Sequence, residues 1–437
     1  MGDPLQRFLQ AKVRNVAFRA GRLSRLTPGE VGIRQQDLPY APSPAHFAAA
    51  NARLREIDRS VRHALGRLAR EGHQPLLHPS EVLRRSALVE REIDRARRAF
   101  GLFFDIFSQR GTRFAPALAA CDTVAADCFL VVRRMAPGLL GQVPLLKPIT
   151  YLEHSFSPAT FRRGVLLRRL LGERNPFPLI RVPYERIEAP WGMGVILHEV
   201  AHSLQADLGV WNETQSALQR RVLGITGDPW LTRLWGRWHK EIFADLLACL
   251  LGGPASVHSM KDFLAYPVAR VLTFQPLSVH PTPYLRVLIQ AEMLRRMGFG
   301  ARARDVRDNW HRLYRKHLSG ARLPRRLLLT ADRLIPHVVD EVAFQPRRGM
   351  AQHALVDVVP FRQVDQQAIL RAAEYIALGE LPEELPPRFA VSASREALER
   401  NLASPAHISR TVLTWLTRRG FRAAVPRPPS LATVTAA

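Results

Sequence analysis

One stretch of this 437-residue chain restricts its structure more than any other: residues 195–204, in which His198, Glu199 and His202 are set among Val195, Ile196, Leu197, Val200, Ala201 and Leu204. Apart from Glu199 it carries no formal charge. That suits a buried helix, because a charge pointing into a packed side is costly. Pro190, Gly192 and Gly194 come just before it and read as a turn feeding a helix start. On a helix, His198 and His202 stand one turn apart on one face. Two imidazoles at that separation can reach a single Zn²⁺. Glu199 then lies beside the metal, placed to take a proton from water. With 15 histidines in the chain, roughly 0.03 H-E-x-x-H matches are expected by chance.

Two histidines do not complete a catalytic zinc site. A third protein ligand is needed, with one position left open. Three continuations can be weighed. The metzincin pattern wants Gly three residues and His six residues after the second His, and Gln205 and Leu208 stand there. Asp207 lies five positions beyond His202 and points off the histidine face. Glu241, 39 positions after His202, lies on the next strong helical segment, with Asp245 one turn further on the same face. That segment is otherwise apolar (Ile242, Phe243, Ala244, Leu246, Leu247), so two acids in it need a partner. Glu241 can bind the metal while Asp245 accepts the free N–H of a ligating imidazole and fixes its tautomer. The alternative is a pair of ordinary surface acids.

These two motifs together, H-E-V-A-H and E-I-F-A-D, resemble the gluzincin, thermolysin-like group of zinc metallopeptidases over roughly residues 176–300. The resemblance implies one Zn²⁺ per chain held by His198, His202 and Glu241, with Glu199 as general base and Asp245 behind a ligand. It implies a peptide or protein substrate and a zincin-like catalytic core. In zinc peptidases a strand ahead of the zinc helix lends its edge to an extended substrate, and residues 179–182 are compatible with that role. A His-Pro…Arg segment also follows the glutamate helix in several of them, as it does here from His280. Peptide hydrolysis builds up an oxyanion that needs a donor besides the metal, and His280, Tyr284 and Arg286 are the candidates. The other reading of that segment is a Pro-initiated helix with exposed polar residues. His239 and His258 are lone histidines with structural roles.

The same site supports hydrolysis of a non-peptide bond. A third reading is a basic nucleic-acid or partner-binding protein with a non-catalytic metal site, because the formal net charge is +25. Only five of the 63 cationic residues are lysine, and the arginines are spread along the chain rather than gathered in one arm, which favours solvated helix faces over a polyanion partner. Three cysteines without a C-x-x-C pair speak against a disulfide framework. Cys121 and Cys128 lie two turns apart on one helical face and read as core residues. No run of 18 uninterrupted apolar residues predicts a membrane span, and no apolar signal segment opens the chain. A cytoplasmic location is expected.

The fold class expected is mainly α, or α+β with a very small sheet: a zincin-like core flanked by helical N- and C-terminal regions. Residues 1–44 read as a flexible lead-in, 45–175 as a helical domain, 176–320 as the catalytic domain, 321–422 as a second helical domain and 423–437 as a disordered tail. Helices are expected over about 45–71, 80–109, 115–135, 191–208 and 214–222, and from Asp228, the N-cap before Pro229, to Gly252. Further helices are expected near 302–318, 324–342, 364–378, 392–402 and 405–418. Residues 136–157 read as a linker, and Ser157-Pro158 as the start of a short basic helix reaching Arg174. Leu179–Val182, between prolines, is the best strand candidate.

Overall fold

The computed structural model describes residues 4–21, 25–71, 78–136, 138–140, 146–154, 158–170 and 172–424. Helix makes up 73% of it and strand 4%, the strand forming one three-stranded sheet. The mainly α expectation with a very small sheet holds. The chain divides into two units, Met1–Ala115 with Phe161–Pro178, and Pro116–Thr160 with Leu179–Ala437.

The first unit is built on three helices: α1 (Pro4–Gly21), α2 (Pro44–Glu71) and α3 (Pro79–Ser108). Along α3 the residues Val82, Val89, Ile93, Ala96, Phe103 and Phe107 recur at helical spacing and are buried. Phe107 packs edge-on to Phe47 of α2 and stacks on Phe177, with ring centroids 4.8 and 6.2 Å apart. Helix α1 occupies much of what the sequence suggests is a loose lead-in. Its hold is non-local: Lys12 and Arg19 both pair with Glu90 of α3, at 3.0 and 2.8 Å.

The second unit begins with α4 (Ala115–Met135), where Cys121 and Cys128 are fully buried as expected. Among the described residues α4 is the one helix apolar and long enough to cross a membrane, and 67% of its apolar window is buried inside the protein. Its two acids are in use there. Asp122 accepts from the Thr150 amide and hydroxyl at 2.8 and 2.7 Å, and Asp127 accepts from Arg388 at 2.7 Å. These are the bonds of a core helix, and there is no clear membrane span.

Two strands lie where the sequence shows none. Strand β1 (Ile149–Glu153) falls in the expected linker. Strand β2 (Ala159–Phe161) replaces the start of the expected basic helix; Ser157 itself lies outside the described residues. That helix does not form because Gly164 and Gly172 take left-handed φ angles of 78° and 86°. Leu166 and Arg174 are bridged antiparallel. Strand β3 (Leu179–Pro183) is the one the sequence signals. It pairs in parallel with β1, Ile149 opposite Leu179, and the strand order β1-β3-β2 puts it in the centre. The strand read as a candidate substrate-holding edge is thus interior, and β2 is an edge.

The helices after the sheet are α5 (Gly194–Asp207), α6 (Trp211–Thr226), α7 (Pro229–Gly252), α8 (Pro254–Leu264), the single turn α9 (Val268–Val271), α10 (Pro283–Arg296) and α11 (Gly300–Tyr314). Helix α7 is the centre of this unit. Asp228 caps it, its carboxylate accepting from the amides of Trp230 and Leu231 at 2.7 and 3.2 Å. From Trp238 to Gly252 nearly every residue is buried, the mark of a helix packed on all sides. Each large apolar side chain buried there contributes about 1.5–3 kcal/mol. Gly253 ends it at φ 64°, where an added Cβ would run into the Phe361 ring. α5, α6, α8 and α10 all pack on α7. Gly194 lets α5 and α8 approach closely, since a Cβ there would sit 2.9 Å from the Ser259 Cβ.

Helices α12 (Arg325–Val339), α13 (Leu355–Val358), α14 (Gln363–Ala377), α15 (Pro387–Glu399) and α16 (Pro405–Ala424) complete the unit. α15 joins α7 through the Ser392 hydroxyl, which donates to the Gly252 carbonyl at 2.8 Å. The tail expected to be disordered lies, from residue 425, outside the described residues.

Candidate metal centre

Helix α5 brings His198 and His202 to one face. Their ring centroids are 4.8 Å apart and the rings are nearly perpendicular. Helix α7 crosses against that face and delivers Glu241. Its Oε2 lies 3.4 Å from Nε2 of His198 and 3.7 Å from Nε2 of His202. One ligand atom from each of the three residues falls within 4.8 Å of the others, so the group could hold a metal ion. His198 and Glu241 are buried, and His202 is half-buried.

The donor set can be tested on one atom. Oε2 of Glu241 is buried without a hydrogen bond of good geometry, and three imidazole nitrogens face it: Nε2 of His280 at 3.2 Å, of His198 at 3.4 Å and of His202 at 3.7 Å. A carboxylate oxygen in that state is costly unless a cation sits against it. Two imidazole nitrogens and one carboxylate oxygen, with a face left open, are a ligand set that zinc takes in catalytic sites.

Behind the cluster runs a chain of buried polar side chains. Asp245, one turn on from Glu241, places Oδ1 2.9 Å from Nδ1 of His198. That leaves Nε2 facing the centre. Arg286 of α10 then grips Asp245 with two bonds, Nε to Oδ2 at 2.9 Å and Nη2 to Oδ1 at 2.7 Å. Burial disfavours charge on each member, and the pairings overturn it. Burial pushes His198 down, but the carboxylates of Asp245 and Glu241 beside it carry it up to about 10. Burial pushes Asp245 up, but Arg286 and His198 bring it down to about 2. Glu241 is likewise held well below the usual carboxylate range, burial being outweighed by the two histidines.

Glu199 follows His198 on α5 and is 7% exposed. Its carboxylate accepts from the Thr160 hydroxyl of β2, Oγ1 to Oε2, at 2.7 Å. His280, at the approach to α10, places Nε2 3.2 Å from Oε2 of Glu241 with 53% of its side chain exposed. What burial it has pushes this imidazole below its ordinary value, with Glu241 pulling the other way.

The three residues weighed as oxyanion donors therefore separate. His280 faces the centre. Arg286 lies next to it and lines the cleft beside the cluster, with Nε and Nη2 bonded to Asp245. Tyr284 is buried away from it: its ring stacks on His311 at 6.2 Å, and the charges its hydroxyl feels are Asp332 and Arg315. The lone histidines have structural partners. His239 bonds the Gly236 carbonyl through Nδ1 at 2.8 Å, and His258 meets Glu399 at 2.6 Å.

Beside the cluster is a cleft of about 210 Å³ onto which His198, Glu199 and His280 open. Its apolar wall comes from Met260, Phe263 and Leu264 of α8, a helix the sequence reading passed over. The signal was there: Gly253-Pro254 is a stop followed by a start, and Val257, Met260 and Leu264 follow at helical steps. Thr160 was missed as well, and no local pattern marks it. Comparisons of the chain with protein-family models, with curated proteins and with solved structures find no match.

Proposed function

We propose that this protein is a zinc-dependent metallopeptidase with a gluzincin-type, zincin-like core. The observation that carries the reading is the convergence of His198, His202 and the buried Oε2 of Glu241 within metal-ligand reach of one another, with a glutamate next to one of the histidines in the chain. His198, His202 and Glu241 would hold the metal, which when bound supplies Lewis acidity to a carbonyl and to water.

The chain's own groups do the rest. Asp245 and Arg286 hold the His198 ring so that its Nε2 stays aimed inward. Glu199, tethered at Oε2, has Oε1 to take the proton of an attacking water. The C–O bond forms, the C–N bond breaks, and Glu199 hands that proton to the departing nitrogen. His280 is placed to donate to the oxygen on which charge develops. An extended peptide can add to the β2 edge, with an apolar side chain against Met260, Phe263 and Leu264.

Glu199→Gln tests the reading, because it removes the base and no ligand. The expected result is full metal content with hydrolysis of a protein substrate lost by at least about a hundredfold. Unchanged hydrolysis in that variant would contradict it.

A further inference from the structure

We propose that Thr160 is a positioning residue that aims the Glu199 carboxylate at the reacting water, an inference resting on the zinc-hydrolase reading above. Glu199 has rotatable bonds in its side chain. A general base acts only when its oxygen is held within hydrogen-bond reach of the proton it takes. Something must hold it there.

The holding group is on another element. Thr160 lies in β2, 39 positions before Glu199, and its Oγ1 is 2.7 Å from Oε2 and 2.9 Å from the Glu199 carbonyl oxygen. The hydroxyl has one proton and two acceptors in reach. The contact to Oε2 is the shorter of the two, and a carboxylate is the stronger acceptor. The proton therefore points at Oε2, giving a short charge-assisted bond. One carboxylate oxygen is fixed and the other is left for water. When Glu199 has taken a proton, the same hydroxyl can accept it in a hydrogen bond and turn its own proton to the carbonyl, so the tether survives the transfer.

The placement also links substrate and base. β2 lies at an edge of the sheet, so a peptide strand added along that edge would bond to the element that holds the base. A threonine whose role is local packing would tolerate valine, which keeps the shape and removes only the donor and acceptor.

The test compares Thr160→Val and Thr160→Ser in the full chain loaded with zinc, using fluorescein-labelled casein as substrate. Loss of the tether should cut kcat about ten- to a hundredfold with KM within about twofold, while metal content stays unchanged. Thr160→Ser, which keeps the hydroxyl, should recover most of the rate. An activity-free readout is the thermal midpoint of Thr160→Val, Glu199→Ala and the double variant. A bond between the two side chains makes the shifts non-additive, the double variant losing less than the singles combined. An unchanged kcat in Thr160→Val, or additive shifts, would overturn the proposal. If wild type and Glu199→Gln cleave casein alike, the hydrolase reading fails instead, and the thermal cycle still decides whether Thr160 holds Glu199.

Discussion

At the scale of single residues, the instructive case is Arg286. Sequence places it near the site but not its role. An arginine close to the His198 motif reads as an oxyanion donor, and here its Nε and Nη2 bond Asp245. Truncating it leaves a buried carboxylate without its cation and loosens the ring of His198. Arg286→Ala should weaken metal binding about ten- to a hundredfold, the usual cost of losing a partner behind a ligand. Competition with a chelator of known affinity measures this, and an unchanged affinity would return Arg286 to the surface of the mechanism. The approach of His198 and His202 was legible because residues four apart share a helix face. Glu241 and Asp245 were legible because two acids on an apolar helix demand a reason. Thr160 was not, since its bond to Glu199 spans 39 positions and a lone threonine carries no pattern.

At the scale of elements, helices were read well and strands poorly, for one physical cause. A helix is made of contacts three and four residues apart, so its apolar face shows in the local sequence. Helix α4 was read to the residue, and α7 was set by Asp228 at one end and paired glycines at the other. Strands β1 and β2 owe their existence to partners elsewhere, as β1 does to β3 and to Asp122. Helix α1 escaped for the same reason, being tied to Glu90 across more than 70 positions. Asp228 gives a direct check on local determination. Asp228→Ala removes the acceptor for two amides and should cost about 1 kcal/mol. A urea unfolding midpoint that does not move would show that tertiary packing alone defines the start of α7.

At the scale of the whole molecule, some of the arginines work inside the protein. Arg286, Arg347, Arg388 and Arg395 are largely buried against Asp245, Glu341, Asp127 and Asp262 with Glu399. Arg286, Arg388 and Arg395 join helices far apart in sequence, a use for which arginine is better suited than lysine. Glu399 makes the consequence testable with pH. Burial pushes its carboxyl up, but His258 and Arg395 bring it from the ordinary 4.5 to about 2. A carboxyl held below its unfolded value stabilises the fold fully above about 4.5 and loses that contribution as pH falls toward 2. The thermal midpoint of wild type should therefore drop more steeply than that of Glu399→Gln between these values. Parallel curves would show that the pairing adds nothing to stability.

The most direct measurement is the metal content of the purified full chain, with His198→Ala and Glu241→Ala beside wild type. Helices α5 and α7 meet so that two imidazoles and one buried carboxylate oxygen converge. The expected result is about one zinc per chain in wild type and loss of it in both variants, as a site with three protein ligands requires. A wild-type protein that binds no metal, or a Glu241→Ala protein that keeps it in full, would contradict the assignment.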